Sequence, residues 1–90
     1  MKKQVHVFYT GNVQGVGFRF TTEEIARELG VRGWVKNLRN GQVEVVAEAE
    51  EDVVKEFLNR IVKEFSRYIR DMDADWQPET AEFESFEIKF

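Results

Sequence analysis

Val5-His6-Val7-Phe8-Tyr9-Thr10-Gly11-Asn12-Val13-Gln14-Gly15-Val16-Gly17-Phe18-Arg19 runs from a β-branched and aromatic stretch, through a glycine-punctuated loop, into a helix. Val5–Tyr9 predicts a strand apolar on both faces, hence a central one, closed by Thr10-Gly11. Glycines at 15 and 17 allow positive φ angles and close approach of the backbone to a ligand. Consecutive N–H groups in such a turn, the positive end of a helix dipole and the Arg19 guanidinium surround one small space. A phosphate-sized anion suits that space. Two readings stand at this point: an anion cradle, or a tight strand-to-helix connection that leaves an arginine exposed.

Outward from this segment, a helix is expected from about Phe18 or Phe20 to Leu29, with Ile25, Ala26 and Leu29 as its apolar stripe. Thr21 and Glu24 have capping-box spacing, and Gly30 ends the helix. Val31–Leu38 reads as a second strand, with Trp34 and Val35 its heaviest members. Asn40-Gly41 predicts a type I′ hairpin. In the third strand Val43 and Val45 alternate with Glu44 and Val46. Glu50, Glu51 and Asp52 then place negative charge where a second helix begins. Its stripe is Val54, Phe57, Leu58, Ile61, Val62 and Phe65.

Beyond it, Tyr68, Arg70, Met72, Ala74 and Trp76 alternate with Ile69, Asp71, Asp73 and Asp75. A period of two predicts a strand with the aspartates toward solvent. Pro78 breaks it. A last short strand carries Phe86, Ile88 and Phe90 on one face. The order is that of an α+β, ferredoxin-like split-βαβ sandwich with a short C-terminal strand. Two helices would pack on one face of a mainly antiparallel sheet, in one domain over residues 1–90. The fold by itself assigns no function.

Ninety residues, 42% of them hydrophobic and including eight Phe and two Trp, suffice for one core. The lack of cysteine excludes a disulfide, a thiolate nucleophile and a zinc–thiolate site, and agrees with a reducing compartment. A net charge of −4 opposes general binding to phosphate backbones, so no nucleic-acid partner is expected. No long apolar span or signal-like segment appears. The expectation is a soluble, cytoplasmic protein with no membrane partner. Partly charged sheet edges fit a monomer.

Asn37 closes an apolar strand after Gly33-Trp34-Val35-Lys36. Asparagine is disfavoured inside strands. Its amide can hold and aim a water, or merely satisfy local backbone at a strand end. Together, Gly11-x-Val13-Gln14-Gly15-Val16-Gly17-Phe18-Arg19 and Gly33-Trp34-Val35-x-Asn37-x-x-Asn40-Gly41-x-Val43-Glu44 resemble the acylphosphatases, in spacing as well as in residues. The resemblance covers nearly the whole chain.

The resemblance implies a small-molecule acyl phosphate as substrate, cleaved to a carboxylate and inorganic phosphate without metal or cofactor. It implies that Arg19 and main-chain N–H groups of Gln14, Gly15, Val16, Gly17 and Phe18 bind the phosphoryl group. It also implies that Asn37 orients the attacking water. A carboxylate is a good leaving group, and phosphoryl transfer depends mostly on positioning and charge stabilisation. The sequence departs from the family's pattern after the second helix, where Val62-Lys63-Glu64-Phe65-Ser66-Arg67 lacks the usual Gly-Pro pair. That departure bears on the helix end and not on Arg19 or Asn37. In the hairpin, Asn40 stands where Asp is common.

Other constellations carry less. Asp71, Asp73, Asp75 and Glu82 have calcium-loop spacing, but Trp76 stands where that loop requires glycine. His6 is the only histidine and reads as a satisfied, partly buried side chain. Glu23 and Glu24 read as charges near a helix start. Two other functions share this fold. One is a domain that binds phosphate or acyl phosphate without turnover; the other is an RNA-recognition domain, opposed by the acidic charge.

Overall fold

Alternate residues along the strands and one stripe on each helix leave water together, which sorts the chain into two layers. The computed structural model describes residues 1–90. The elements are β1 (Lys2–Gly11), α1 (Phe18–Leu29), β2 (Arg32–Asn37), β3 (Val43–Glu50), α2 (Glu51–Phe65), β4 (Ile69–Pro78) and β5 (Phe86–Lys89). The sheet order is β4-β1-β3-β2-β5. All neighbouring strands are antiparallel except β2 and β5. This is the expected α+β, ferredoxin-like arrangement.

Strand β1 is central, as expected, but its two faces differ. Val5, Val7 and Tyr9 are fully buried beneath the helices, whereas His6 and Phe8 lie half-buried on the helix-free face. There the His6 ring stacks on Phe8, and its Nε2 lies 2.5 Å from Glu44 Oε2. Across the core, Val54, Phe57, Ile61 and Phe65 of α2 are buried. Val62, counted in that stripe from the sequence, is exposed instead, because it lies at the stripe's margin.

Several local expectations change. The Thr21–Glu24 capping box does not form; α1 starts three residues before Thr21, and Gly17 is its N-cap, with no side-chain cap. Gly30 ends α1 in the left-handed region, as expected. The hairpin is not type I′, since neither Arg39 nor Asn40 has a positive φ. Gly41 N–H donates to Leu38 O, and Gly41 itself takes φ 94°, which makes a three-residue loop with glycine at the left-handed position. After α2 no glycine is needed. Ser66 stays right-handed, and Tyr68 N–H donates to Phe65 O at 2.9 Å to close a turn into β4.

In β4 the aspartates face solvent, as predicted. The register slips between Thr10 and Gly11, which pair with Asp71 and Ile69, leaving Arg70 as the extra residue. Ile69 thereby leaves the aspartates' face and packs against the core. Phe90 lies beyond β5 and is exposed, whereas Phe86 is buried.

Strands β4 and β5 form opposite edges of the sheet, so residues 79–85 must cross it. Four inter-strand spacings of about 4.8 Å separate the edges. Seven residues reach at most about 25 Å, so the crossing has little slack. Glu48, on β3 midway, holds it. Its buried carboxylate accepts hydrogen bonds from Thr80 N (2.8 Å), Thr80 Oγ1 (2.7 Å), Ala81 N (3.2 Å) and Gln4 Nε2 (2.7 Å). Ala81 is the one non-glycine residue with positive φ, 58°.

Burial alone would push the Glu48 pKa up, but these donors outweigh it and hold the carboxyl below its usual value. A lowered folded-state pKa gives stability that is fully present above the unfolded carboxylate pKa and is lost as pH falls through the folded one. Glu48→Gln is expected to lower stability by about 1–3 kcal/mol at neutral pH. In urea titrations the gap between variant and wild type should narrow on acidification; a constant gap would show that the charge is not what holds the crossing.

Candidate active site

Two apolar anchors shape the loop between β1 and α1. Val13 and Phe18 are buried, and Val16 packs partly against the core. Between them the chain turns through Gly15 (φ 79°) and Gly17 (φ 80°), angles that side-chain-bearing residues rarely adopt.

A glycine N-cap has consequences for charge. The side-chain oxygen of a serine or aspartate there would accept a hydrogen bond from a first-turn N–H group. Gly17 cannot, and the first turn of α1 carries no acidic residue. The helix ladder begins with Thr21 N–H on Gly17 O at 3.0 Å. The N–H groups of Gln14, Gly15, Val16 and Gly17 make no backbone hydrogen bond. The positive end of the helix dipole is therefore left unneutralised, with donors collected in front of it.

Arg19 lies in this first turn, half-buried, and no carboxylate pairs with it. Its guanidinium carbon sits 5.0 Å from the centroid of the Phe90 ring. Contact with a ring face leaves the in-plane N–H donors free.

Asn37 ends β2, opposite Val43 and on the same face as Val35. It thus continues a core-facing row with an amide, where the core gives way to the loop. Its Oδ1 is buried and has no hydrogen-bond partner. Such an atom is costly to leave unsatisfied.

The Gln14 side chain ties the loop to the hairpin. Its Nε2 donates to Leu38 O (2.7 Å) and Gln42 O (2.9 Å), the residues flanking the hairpin loop. Leu38 follows Asn37 directly, so this clamp sets Asn37 against the loop. Nothing in the sequence signals a contact across 24 positions.

Gly15, Gly17, Phe18, Arg19 and Asn37 line one open cavity of about 240 Å³. Val13 and Phe20 line it too, and neither was anticipated. Phe20 had a readable signal: it is an aromatic residue off the buried stripe of α1. Gln14 and Val16 lie beside the cavity rather than on its wall. A cleft of about 210 Å³ near Lys2, Arg32, Glu48, Glu50 and Glu79 mixes both charge signs and includes no residue of the loop. The chemistry favours the Arg19 cavity, where an unpaired cation and free donors converge.

The remaining candidates lie elsewhere. Asp71, Asp73 and Asp75 are spread along β4, and no three His, Asp or Glu side chains gather as a metal-holding group. Glu23 pairs with Arg27 at 3.1 Å along α1.

Gln14→Ala removes the second donor from two carbonyls that Gly41 N–H and Leu38 N–H also serve, and with it the tie between loop and hairpin, which is expected to cost about 1 kcal/mol in urea denaturation. Gln14→Glu should cost more, because a carboxylate would face both carbonyl oxygens. Wild-type stability in both variants would show that the clamp does not hold the hairpin.

A family model described as Acylphosphatase matches residues 5–88. A protein named Acylphosphatase from Caldanaerobacter subterraneus subsp. tengcongensis is 39% identical over 98% of this chain and 99% of its own length. One of the same name from Trichormus variabilis is 54% identical over 55 residues, 61% of this chain and 54% of its own. The crystal structure of acylphosphatase from Bacillus subtilis superposes with a TM-score of 0.90 at 30% identity, over 98% of this chain and 99% of that one.

Proposed function

The chain belongs to the acylphosphatase family, a family of hydrolases, and from that premise we propose that Arg19, the loop N–H groups and Asn37 carry its reaction. One observation supports the assignment above the others. An unpaired guanidinium, an uncapped helix N-terminus and an orphaned amide oxygen meet in one cavity.

In this reading the phosphoryl oxygens of an acyl phosphate take the place of the missing N-cap oxygen. The N–H groups from Gln14 to Phe18 donate to them, and Arg19 adds a planar fork that can hold two oxygens. These donors stabilise the charge spread over the equatorial oxygens in the transition state. Asn37 Oδ1 accepts a hydrogen bond from the attacking water and turns its lone pair toward phosphorus. The P–O bond to the acyl group breaks as the water–phosphorus bond forms. The carboxylate leaves with the electron pair, and the water's second proton passes to phosphate or solvent. A carboxylate leaving group needs no strong acid, so the residue set is sufficient.

Hydrolysis of benzoyl phosphate with excess chelator tests the assignment. Arg19→Gln and Asn37→Ala are each expected to lose about 10²–10³-fold in kcat while remaining folded. Folded wild type that binds inorganic phosphate but leaves benzoyl phosphate intact would make the loop a binding cradle only. Near-wild-type rates in either variant would remove that residue's role.

The same proposal places the protein in the cytoplasm as a monomer. The cysteine-free composition supports the first, and no helix is long and apolar enough to cross a membrane. The exposed aspartates along edge strand β4 support the second, since like charges oppose strand-to-strand pairing. A sedimentation mass of two chains would overturn it.

A further inference from the structure

We propose that Phe20 is the acyl-recognition residue of this site, and that it selects acyl phosphates whose acyl group is apolar and preferably aromatic. The inference rests on the phosphoryl-binding role just assigned to the loop and Arg19. If the phosphoryl group sits against the helix N-terminus, the acyl group must leave the cavity past its rim.

The rim is aromatic. Of the eight phenylalanines, six are buried or half-buried, and only Phe20 and Phe90 are exposed, at 61% and 88%. Both adjoin Arg19. Phe20 is its neighbour in the first turn and lines the cavity, and the Phe90 ring lies 5.0 Å from its guanidinium. Phe20 contributes nothing to the buried stripe of α1, formed by Phe18, Thr22, Ile25 and Ala26. Its ring stays in water in the free protein, and folding therefore does not explain it.

Apart from Arg19, the cavity wall carries no ionisable side chain. The surroundings offer an acyl group no salt bridge beyond the arginine that holds phosphate. What they offer is apolar surface in the exposed ring of Phe20. A flat acyl group lying on Phe20 removes apolar area from water on both partners. An acetyl group is too small to cover the ring, and a charged acyl group would lose hydration without gaining a partner.

The experiment measures kcat/KM for benzoyl phosphate and acetyl phosphate with wild type, Phe20→Ala and Phe20→Leu. The ratio between the substrates, compared across proteins, cancels their difference in intrinsic reactivity. Phe20→Ala is expected to lower the benzoyl-to-acetyl ratio about fivefold, mostly through KM for benzoyl phosphate. Phe20→Leu should fall between the two. Competitive inhibition by inorganic phosphate, which reads the phosphoryl site alone, should change far less than the ratio. An unchanged ratio in Phe20→Ala, with acetyl phosphate still hydrolysed, would overturn the role of Phe20 and leave the assigned reaction standing. Folded wild type that hydrolyses neither substrate would overturn both.

Discussion

The burial of one ring, Phe18, organises the functional end of this molecule. Phe18 sits 5.0 Å from Tyr9 and 4.6 Å from Phe65, centroid to centroid, and so joins β1, α1 and α2 at one point. It is also the first residue of α1, between the Gly17 N-cap and Arg19. With its ring sunk in the core, the backbone on either side has little freedom. The N–H groups from Gln14 to Gly17 are left without a backbone acceptor, and Arg19 follows Phe18 directly. Hydrophobic burial, a force without direction, thereby fixes the direction of the polar groups.

Electrostatics at the site follow from omission. An acidic chain keeps its carboxylates away from the cavity. On the helices Glu23, Glu28 and Glu51 pair with Arg27, Arg60 and Lys55, and the aspartates of β4 lie along the sheet's edge. The N-cap of α1 has no side chain, and its first turn has no acid. The free protein leaves unsatisfied donors, an unpaired guanidinium and a buried amide oxygen that most proteins would have satisfied internally. In the proposed reaction, a bound phosphoryl group and its attacking water would supply what is missing. Local optimisation is set aside where a site must accept a ligand.

The same trade appears in the chain's longest crossing. The connection from β4 to β5 spans the whole sheet with little slack, and a buried carboxylate on β3 gathers its backbone donors. Glu48 reads from sequence as an ordinary charged residue of a strand. Only strand order makes it a central anchor.

What the sequence by itself determined is whatever consecutive residues encode: periods of two and of 3.6, glycine where φ must be positive, and the aromatic weight of the core. Those signals sufficed for the order of the elements, the central place of β1, the helix stop at Gly30, and the paired motifs around Arg19 and Asn37. They misjudged features that depend on neighbours distant along the chain. Val62 and Phe90 looked like core until packing left them outside, and Ile69 changed face because of a bulge against Gly11. The hairpin type and the absence of a capping box turned on single φ angles and a helix start that residue types do not specify. Only the tertiary structure brought Gln14 to the hairpin, Arg19 and Asn37 to one cavity, and Phe20 to its rim. The reason is physical: local sterics act between adjacent residues, but a site is set by strand order and register, which the whole core decides at once.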